Sequence, residues 1–281
     1  MKPLHILHVE AAAGWGGQEI RVFQETLLLL ERGYSVSLIC QADSPLEKKC
    51  GAVSNADFHF QSLLMKKMMN LSTFVALYRY VLKNNFDIIH THSSVDSWLG
   101  GLVGKLLRVP VVRTRHVSLP VKDFFPNHLL YSHIPQRILT SGNMISDIMK
   151  KIRCVNSSHV VSIPAGVDLR KFNSSISGQK IREELKVDSS QFLVGKIGVI
   201  RGWKGHNYFL EAIPLILKEI PQTRFVIVGD GPGFKEIESK IKIAGLDNRV
   251  ALLGHREDVP EIMAARSEER RVGKECRSRW S

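Results

Sequence analysis

"DIIHTHSSVDSWLGGLVGKLLRVPVVRTRH", residues 87–116, sets two β-branched apolar runs on either side of a segment with helical character. DIIHTH (87–92) reads as a strand, residues 95–107 as a helix, and VPVVRTRH (109–116) as a second strand. Strands joined through a helix run parallel, and a parallel sheet carries helices over its faces. This stretch predicts an α/β fold.

The same alternation extends in both directions. Toward the N-terminus, HILHV (5–9) and SVSLIC (35–40) have strand composition, and residues 71–84 have helix composition. A helix follows Gly16 and Gly17 and runs to about Arg32, with Ile20, Phe23, Leu27 and Leu30 as its expected apolar stripe. Toward the C-terminus, QRILTS (136–141) and HVVSIP (159–164) are expected strands around a helix at 144–152. Residues 1–163 are therefore predicted to form one Rossmann-like domain. PAGVDLRKFNSSISG (164–178) mixes Pro, Gly and Ser, and the interdomain linker is taken as 164–180. Strands are then expected at 192–200, 224–231 and 250–254. Helices are expected at 206–220 and 233–244, with another starting near Asp258. A complete doubly wound domain needs further strands, so this second Rossmann-like domain, 181–265, is expected to be incomplete.

Composition narrows the class. The chain has 281 residues, 44% of them hydrophobic, enough for two cores and too apolar for a disordered chain. Residues 99–112 are interrupted by Lys105 and Arg108, and no apolar run reaches membrane-spanning length. The opening residues read as a first strand, not a signal peptide. Cys40, Cys50, Cys154 and Cys276 show neither CxxC spacing nor a disulfide framework, which places the chain in a reducing cytoplasm.

The net charge is +12, unevenly distributed. Residues 1–163 hold 18 basic against 11 acidic side chains, whereas residues 164–265 hold 15 against 13. An excess on the first half suits an acidic partner such as an anionic lipid surface at the inner face of the cytoplasmic membrane; a solvated basic surface is the alternative. LLMKKMMNLSTF (63–74) sets two Lys among Leu, Met and Phe, a pattern for an anionic interface or for ordinary core. Zinc-finger spacing, an RNP-like motif and a basic helix are all missing, which excludes nucleic acid as the partner. RSEERRVGKECRSRWS (266–281) lacks apolar periodicity and resembles read-through of a sequencing-library adapter; a genuine basic tail is the alternative.

Three places could carry chemistry. Gly14, Gly16 and Gly17 sit between the first strand and first helix, where a phosphate or sugar could approach the backbone, or where the chain only turns. Arg201 and Lys204 follow the first strand of the second domain, at the strand edge where α/β sheets bind ligands. A guanidinium fork and a compact ammonium suit a diphosphate without a metal cage, although strand-end cations often meet only solvent. His116 ends one strand, and His90 and His92 share a face of its neighbour. A strand-end histidine is often structural. His-x-His without clustered Cys or acidic partners is a weak metal signal, so no metal is expected.

These stretches together resemble a GT-B-fold retaining glycosyltransferase of family 4 (group 1 type), the large family of bacterial lipopolysaccharide, exopolysaccharide and phospholipid mannosyl enzymes. The similarity lies in GWGGQE (14–19), residues 87–116, IPAGVDLRKF (163–172), IGVIRGWKGHNYFLEA (197–212), FVIVGDGP (225–232) and VALLGHREDVPEIMAA (250–265). It implies a nucleotide-diphosphate sugar donor in the cleft between domains and a glycan or lipid-linked acceptor, with no separate cofactor. Arg201 and Lys204 match the diphosphate-binding cations, and Gly16 and Gly17 match the glycine loop. His116 matches a cleft histidine near the sugar, and His255 and Arg256 match a nucleobase loop that acts mainly through its backbone. The family's acidic pair would lie beyond Ala265, so this chain is expected to be an inactive fragment of its full product. A nucleotide-sugar 2-epimerase and a non-catalytic donor-binding fragment are the alternatives.

Overall fold

The computed structural model of the chain describes residues 3–65, 70–122 and 124–267. It divides into two compact units, with the boundary between Ala165 and Gly166.

The first unit holds seven strands: β1 (His5–Glu10), β2 (Ser35–Gln41), β3 (Phe58–Leu63), β4 (Ile88–Thr91), β5 (Val111–Arg115), β6 (Arg137–Thr140) and β7 (Val160–Ser162). All pair in parallel, in the order β3-β2-β1-β4-β5-β6-β7. The order reverses between β1 and β4, which pair with His8 opposite His90. Ligands of open α/β sheets bind at the carboxyl ends of strands beside such a reversal.

The helices are α1 (Gly17–Glu31), α2 (Pro45–Gly51), α3 (Leu71–Asn84), α4 (Ser94–Leu107), a short α5 (Phe125–His128) continued by a wider turn, and α6 (Asn143–Lys150). They cover both faces of the sheet. Leu7, Val9, Ile39, Ile89 and Val111 pack in one core with Leu77, Leu99 and Val103. Val36, Leu38 and Cys40 turn to a second core with Val22, Leu30 and Leu46. In α4, a Cβ on Gly101 would come within 2.6 Å of the Ile134 side chain, which is why LGGLVG packs as a helix so close to its neighbours.

Two expectations need correction. The buried side of α1 is Glu19, Val22, Thr26 and Leu30, and Ile20 is exposed. The helix N-terminus turns Glu19 inward as a cap, and this sets the rotation of the stripe. The sequence predicts no element over 45–63, which contains α2 and β3. Ser44 starts α2 by accepting from Glu47 N–H at 3.2 Å, and Pro45 occupies the first turn.

The second unit has a three-stranded parallel sheet, β10-β9-β8, from β8 (Phe192–Ile197), β9 (Thr223–Val228) and β10 (Val250–Leu252). Its helices are α7 (Gln179–Glu184), α8 (His206–Glu219), α9 (Phe234–Ile243) and α10 (Val259–Ala265). α7 falls at the end of the segment read as linker. Phe225 and Ile227 pack toward α8 and α9, while Val226 and Val228 pack toward Ile181 and Ile262. Order continues past the expected domain end at Ala265. Ser267 N–H donates to Leu193 O at 3.1 Å, and its hydroxyl accepts from Leu193 N–H at 2.8 Å. The rest of the suspected tail, 268–281, lies outside the described residues, as do residues 66–69 of the proposed interfacial segment.

Candidate functional site

In the first unit, the candidate residues gather at the carboxyl ends of β1, β4 and β5. Gly16 is the N-cap of α1, and its N–H donates to Glu19 Oε2 at 2.7 Å. None of Gly14, Gly16 and Gly17 has a positive φ, so no tight turn requires them. A Cβ on Gly14 or Gly17 would meet nothing within 4 Å. Without side chains at Gly14 and Gly17, the backbone of this loop is left uncovered.

Beneath the loop lies a set of carboxylates that the sequence reading missed. Glu10, fully buried at the end of β1, accepts from Gln18 Nε2 at 2.9 and 2.7 Å and from Ala12 N–H at 2.9 Å. Burial, and then the Asp96 carboxylate, push Glu10 up to about 8. Asp96, in the first turn of α4, accepts from the N–H groups of Ala11, His92 and Ser93. Burial raises its pKa despite these donors. The only signal in sequence was position, Glu10 at a strand end and Asp96 at a helix start.

His116 follows β5 and is joined to a histidine cluster. Its Nε2 lies 3.4 Å from His92 Nδ1, and His92 Nε2 lies 3.0 Å from His8 Nδ1. His90 Nε2 is 2.6 Å from Thr114 Oγ1, and its Nδ1 is 3.7 Å from Glu25 Oε1. His8, His90 and His92 are buried. Burial drops His8 and His116 to about 4, with Arg21 adding to the effect at His116. Burial, then the neighbouring rings, hold His90 and His92 well below the usual imidazole value. At neutral pH these imidazoles are uncharged, so His116 can donate or accept a hydrogen bond but does not act as a cation. His8 was not singled out in the sequence because its partners lie 84 residues away.

In the second unit, β8 leads into a loop carrying Arg201 and a single 3-10 turn, Gly202–Lys204. Arg201 and Lys204 are both exposed. Gly205 takes φ 72° and starts α8, turning the chain sharply after Lys204. Arg201, Gly202, Pro232, Gly233 and Glu236 line an open cavity of about 440 Å³. The turns after β8 and β9 are joined by backbone bonds: Gly198 N–H to Val228 O at 2.8 Å, Ile200 N–H to Asp230 O at 2.9 Å, and Gly233 N–H to Ile200 O at 3.1 Å. Gly229 (φ 137°) has no room for a side chain, because a Cβ there would strike the carbonyl of Gly198. His206, another residue not anticipated, is buried at the start of α8. Burial, then Lys196 and Lys204, lower its pKa.

His255 is exposed on the loop after β10. The Arg256 guanidinium is already engaged, at 2.6 and 2.9 Å with the two oxygens of Glu184 and at 2.8 and 2.6 Å with those of Asp258. The Arg256 side chain is therefore held by two carboxylates within its own unit.

Residues 15–171 match the model of glycosyltransferase family 4, and residues 177–267 match that of the glycosyl transferases group 1. An Escherichia coli UDP-Gal:alpha-D-GlcNAc-diphosphoundecaprenol alpha-1,3-galactosyltransferase is 30% identical over 290 aligned positions, covering 94% of this chain and 73% of that protein. Anabaena Alr3699/HepE, solved with UDP-glucose, superposes with a TM-score of 0.75 at 20% identity, covering 93% of this chain and 72% of that one. A glycosyltransferase from Rickettsia africae superposes at 0.77 with 18% identity, over 95% of this chain and 72% of that one. The chain belongs to the glycosyltransferases of family 4 and group 1 type, with the expected GT-B α/β fold.

Proposed function

We propose that this chain supplies the donor-binding side of a retaining glycosyltransferase whose full-length form moves a sugar from a uridine-diphosphate donor to a lipid-linked or polysaccharide acceptor. Arg201 and Lys204 bind the diphosphate, and the N-terminus of α8 adds positive potential. The bond from the sugar's anomeric carbon to the diphosphate breaks, and the acceptor hydroxyl forms its bond on the same face. The hydroxyl proton leaves with the diphosphate. His116, as a neutral imidazole, hydrogen-bonds a sugar hydroxyl, and Gly16 and Gly17 leave room for donor and acceptor. The backbone around His255 and Arg256 takes the base. Neither Mg²⁺ nor a separate cofactor enters this reading.

The observation that carries the reading is the pair of exposed cations at the carboxyl end of β8, beside the cavity lined by Arg201 and Gly202. The galactosyltransferase relative, named for a UDP-sugar donor and a diphosphoundecaprenol-linked acceptor, supports the choice of substrates. Among the described residues no helix is long and apolar enough to cross a membrane. The basic first unit and the exposed Leu64 and Leu71 support peripheral contact with an anionic membrane face. The test is incubation of the full-length protein, with the C-terminal acidic pair restored, with UDP-galactose or UDP-glucose and a polyprenyl-diphosphate-linked sugar, reading the anomeric proton of the product. Transfer with the donor's configuration is expected. Inversion, or isomerisation of free nucleotide sugar without acceptor, overturns the reading. Sedimentation that does not depend on anionic lipid overturns the membrane part alone.

A further inference from the structure

We propose that His8, His90 and His92 form a binding site for a divalent transition ion of the zinc class. In sequence, His90 and His92 alone lack a third ligand. Strand pairing supplies it, because the parallel register sets His8 of β1 opposite His90 of β4. The ligating atoms of the three rings lie within 4.8 Å of one another, and all three residues are buried. Zn–N bonds of about 2.0–2.1 Å in a tetrahedral site set nitrogens roughly 3.3 Å apart, so small side-chain rotations close the cluster on an ion.

Two further observations point to a ligand. His8 Nε2 is buried without a hydrogen-bond partner, a state that protein interiors rarely tolerate. His90 Nε2 is held at 2.6 Å by Thr114 Oγ1, the kind of outer contact that orients a ligating imidazole through its other nitrogen. A set made of imidazoles favours zinc, copper, nickel or cobalt over Mg²⁺ and Ca²⁺, which require oxygen ligands. The site is therefore separate from diphosphate binding and does not rest on the proposed reaction.

The test is titration of the full chain with Co²⁺ and Zn²⁺. One Co²⁺ per chain is expected, with the visible band of four-coordinate cobalt, displaced by Zn²⁺. His8→Gln and His92→Gln should each weaken binding by more than about 100-fold, and Thr114→Val by about 10–100-fold, as outer-shell changes do. In the unaltered chain, Zn²⁺ should shift the ring ¹⁵N resonances of His8, His90 and His92, and Mg²⁺ should not. This reading needs no variant and stands if a substitution prevents folding. Affinity unchanged in a folded His8→Gln chain, or Zn²⁺ shifts confined to other histidines, overturns the site.

Discussion

The carboxylate of Asp96 accepts a hydrogen bond from the backbone N–H of Ala11 at 3.1 Å, across 85 residues of chain. The same group takes the N–H of His92 at 2.8 Å and that of Ser93 at 2.9 Å. One buried side chain therefore ties the loop after β1 to the loop after β4. Asp96→Ala strands several buried donors and should cost about 3 kcal/mol, read by urea denaturation. A loss within about 0.5 kcal/mol shows that the loop holds its shape without Asp96.

The raised pKa of Glu10 predicts a pH dependence of stability. Folding holds its proton up to about 8, whereas the unfolded chain releases it near the ordinary carboxylate value of about 4.3. Between those limits the native state binds more protons than the unfolded state, so this group's contribution to stability falls as pH rises. Glu10→Gln should flatten the decline in melting temperature across that window. An unchanged slope assigns the decline to other groups.

In the full-length protein, Arg201→Ala and Lys204→Ala would each remove a cation from the place where the proposed reaction develops leaving-group charge. Each should cost about 2–4 kcal/mol of barrier, or roughly 30- to 1000-fold in turnover. Both side chains are exposed, so unfolding should move by about 0.5 kcal/mol or less. Turnover should persist when Mg²⁺ is omitted from the assay. Near-unaltered turnover in both variants removes the diphosphate from this loop.

His116→Ala should lower kcat while leaving the affinity for UDP close to that of the parent chain, measured by calorimetry. His116→Asn retains a donor and an acceptor and should recover part of the rate. Equal losses in UDP affinity and kcat assign His116 to nucleotide binding.

The end of the described chain offers a sharp comparison. Ending the chain after Ser267 should leave its melting temperature unchanged or raised. Ending it after Ala265 removes both bonds to Leu193 and one from Arg182, and should cost about 1–3 kcal/mol. Equal melting of the two shortened chains shows that Ser267 contributes nothing.

The parts of the fold that were legible in sequence share one property. β1, β2, β4, β5 and β9 are largely buried, and each carries adjacent β-branched or other apolar residues that mark a strand. β3 did not, because FHFQSL is mostly exposed along its length and has no partner beyond β2. α7 escaped for a similar reason, since Ile181 is its one buried residue. In α1, four consecutive leucines fit several rotations, and the capping role of Glu19 decided among them. The cations at 201 and 204 were visible from spacing after a strand. The histidine and carboxylate clusters were not, because strand pairing and the α4 cap assemble them from distant segments. Nor could spacing show that Arg256 already has Glu184 as its partner.

The contact between Gly229 and Gly198 has a practical meaning for anyone wishing to change what this enzyme accepts. The turns after β8 and β9 share their backbone bonds and leave no room at Gly229, so they behave as a fixed chassis: a side chain added there breaks both turns at once. Gly14, Gly17 and Gly202 are the opposite case, since a Cβ at each would enter empty space. If the proposed donor site is right, libraries aimed at donor preference belong at those three positions, where new shape can be added while the frame stays intact.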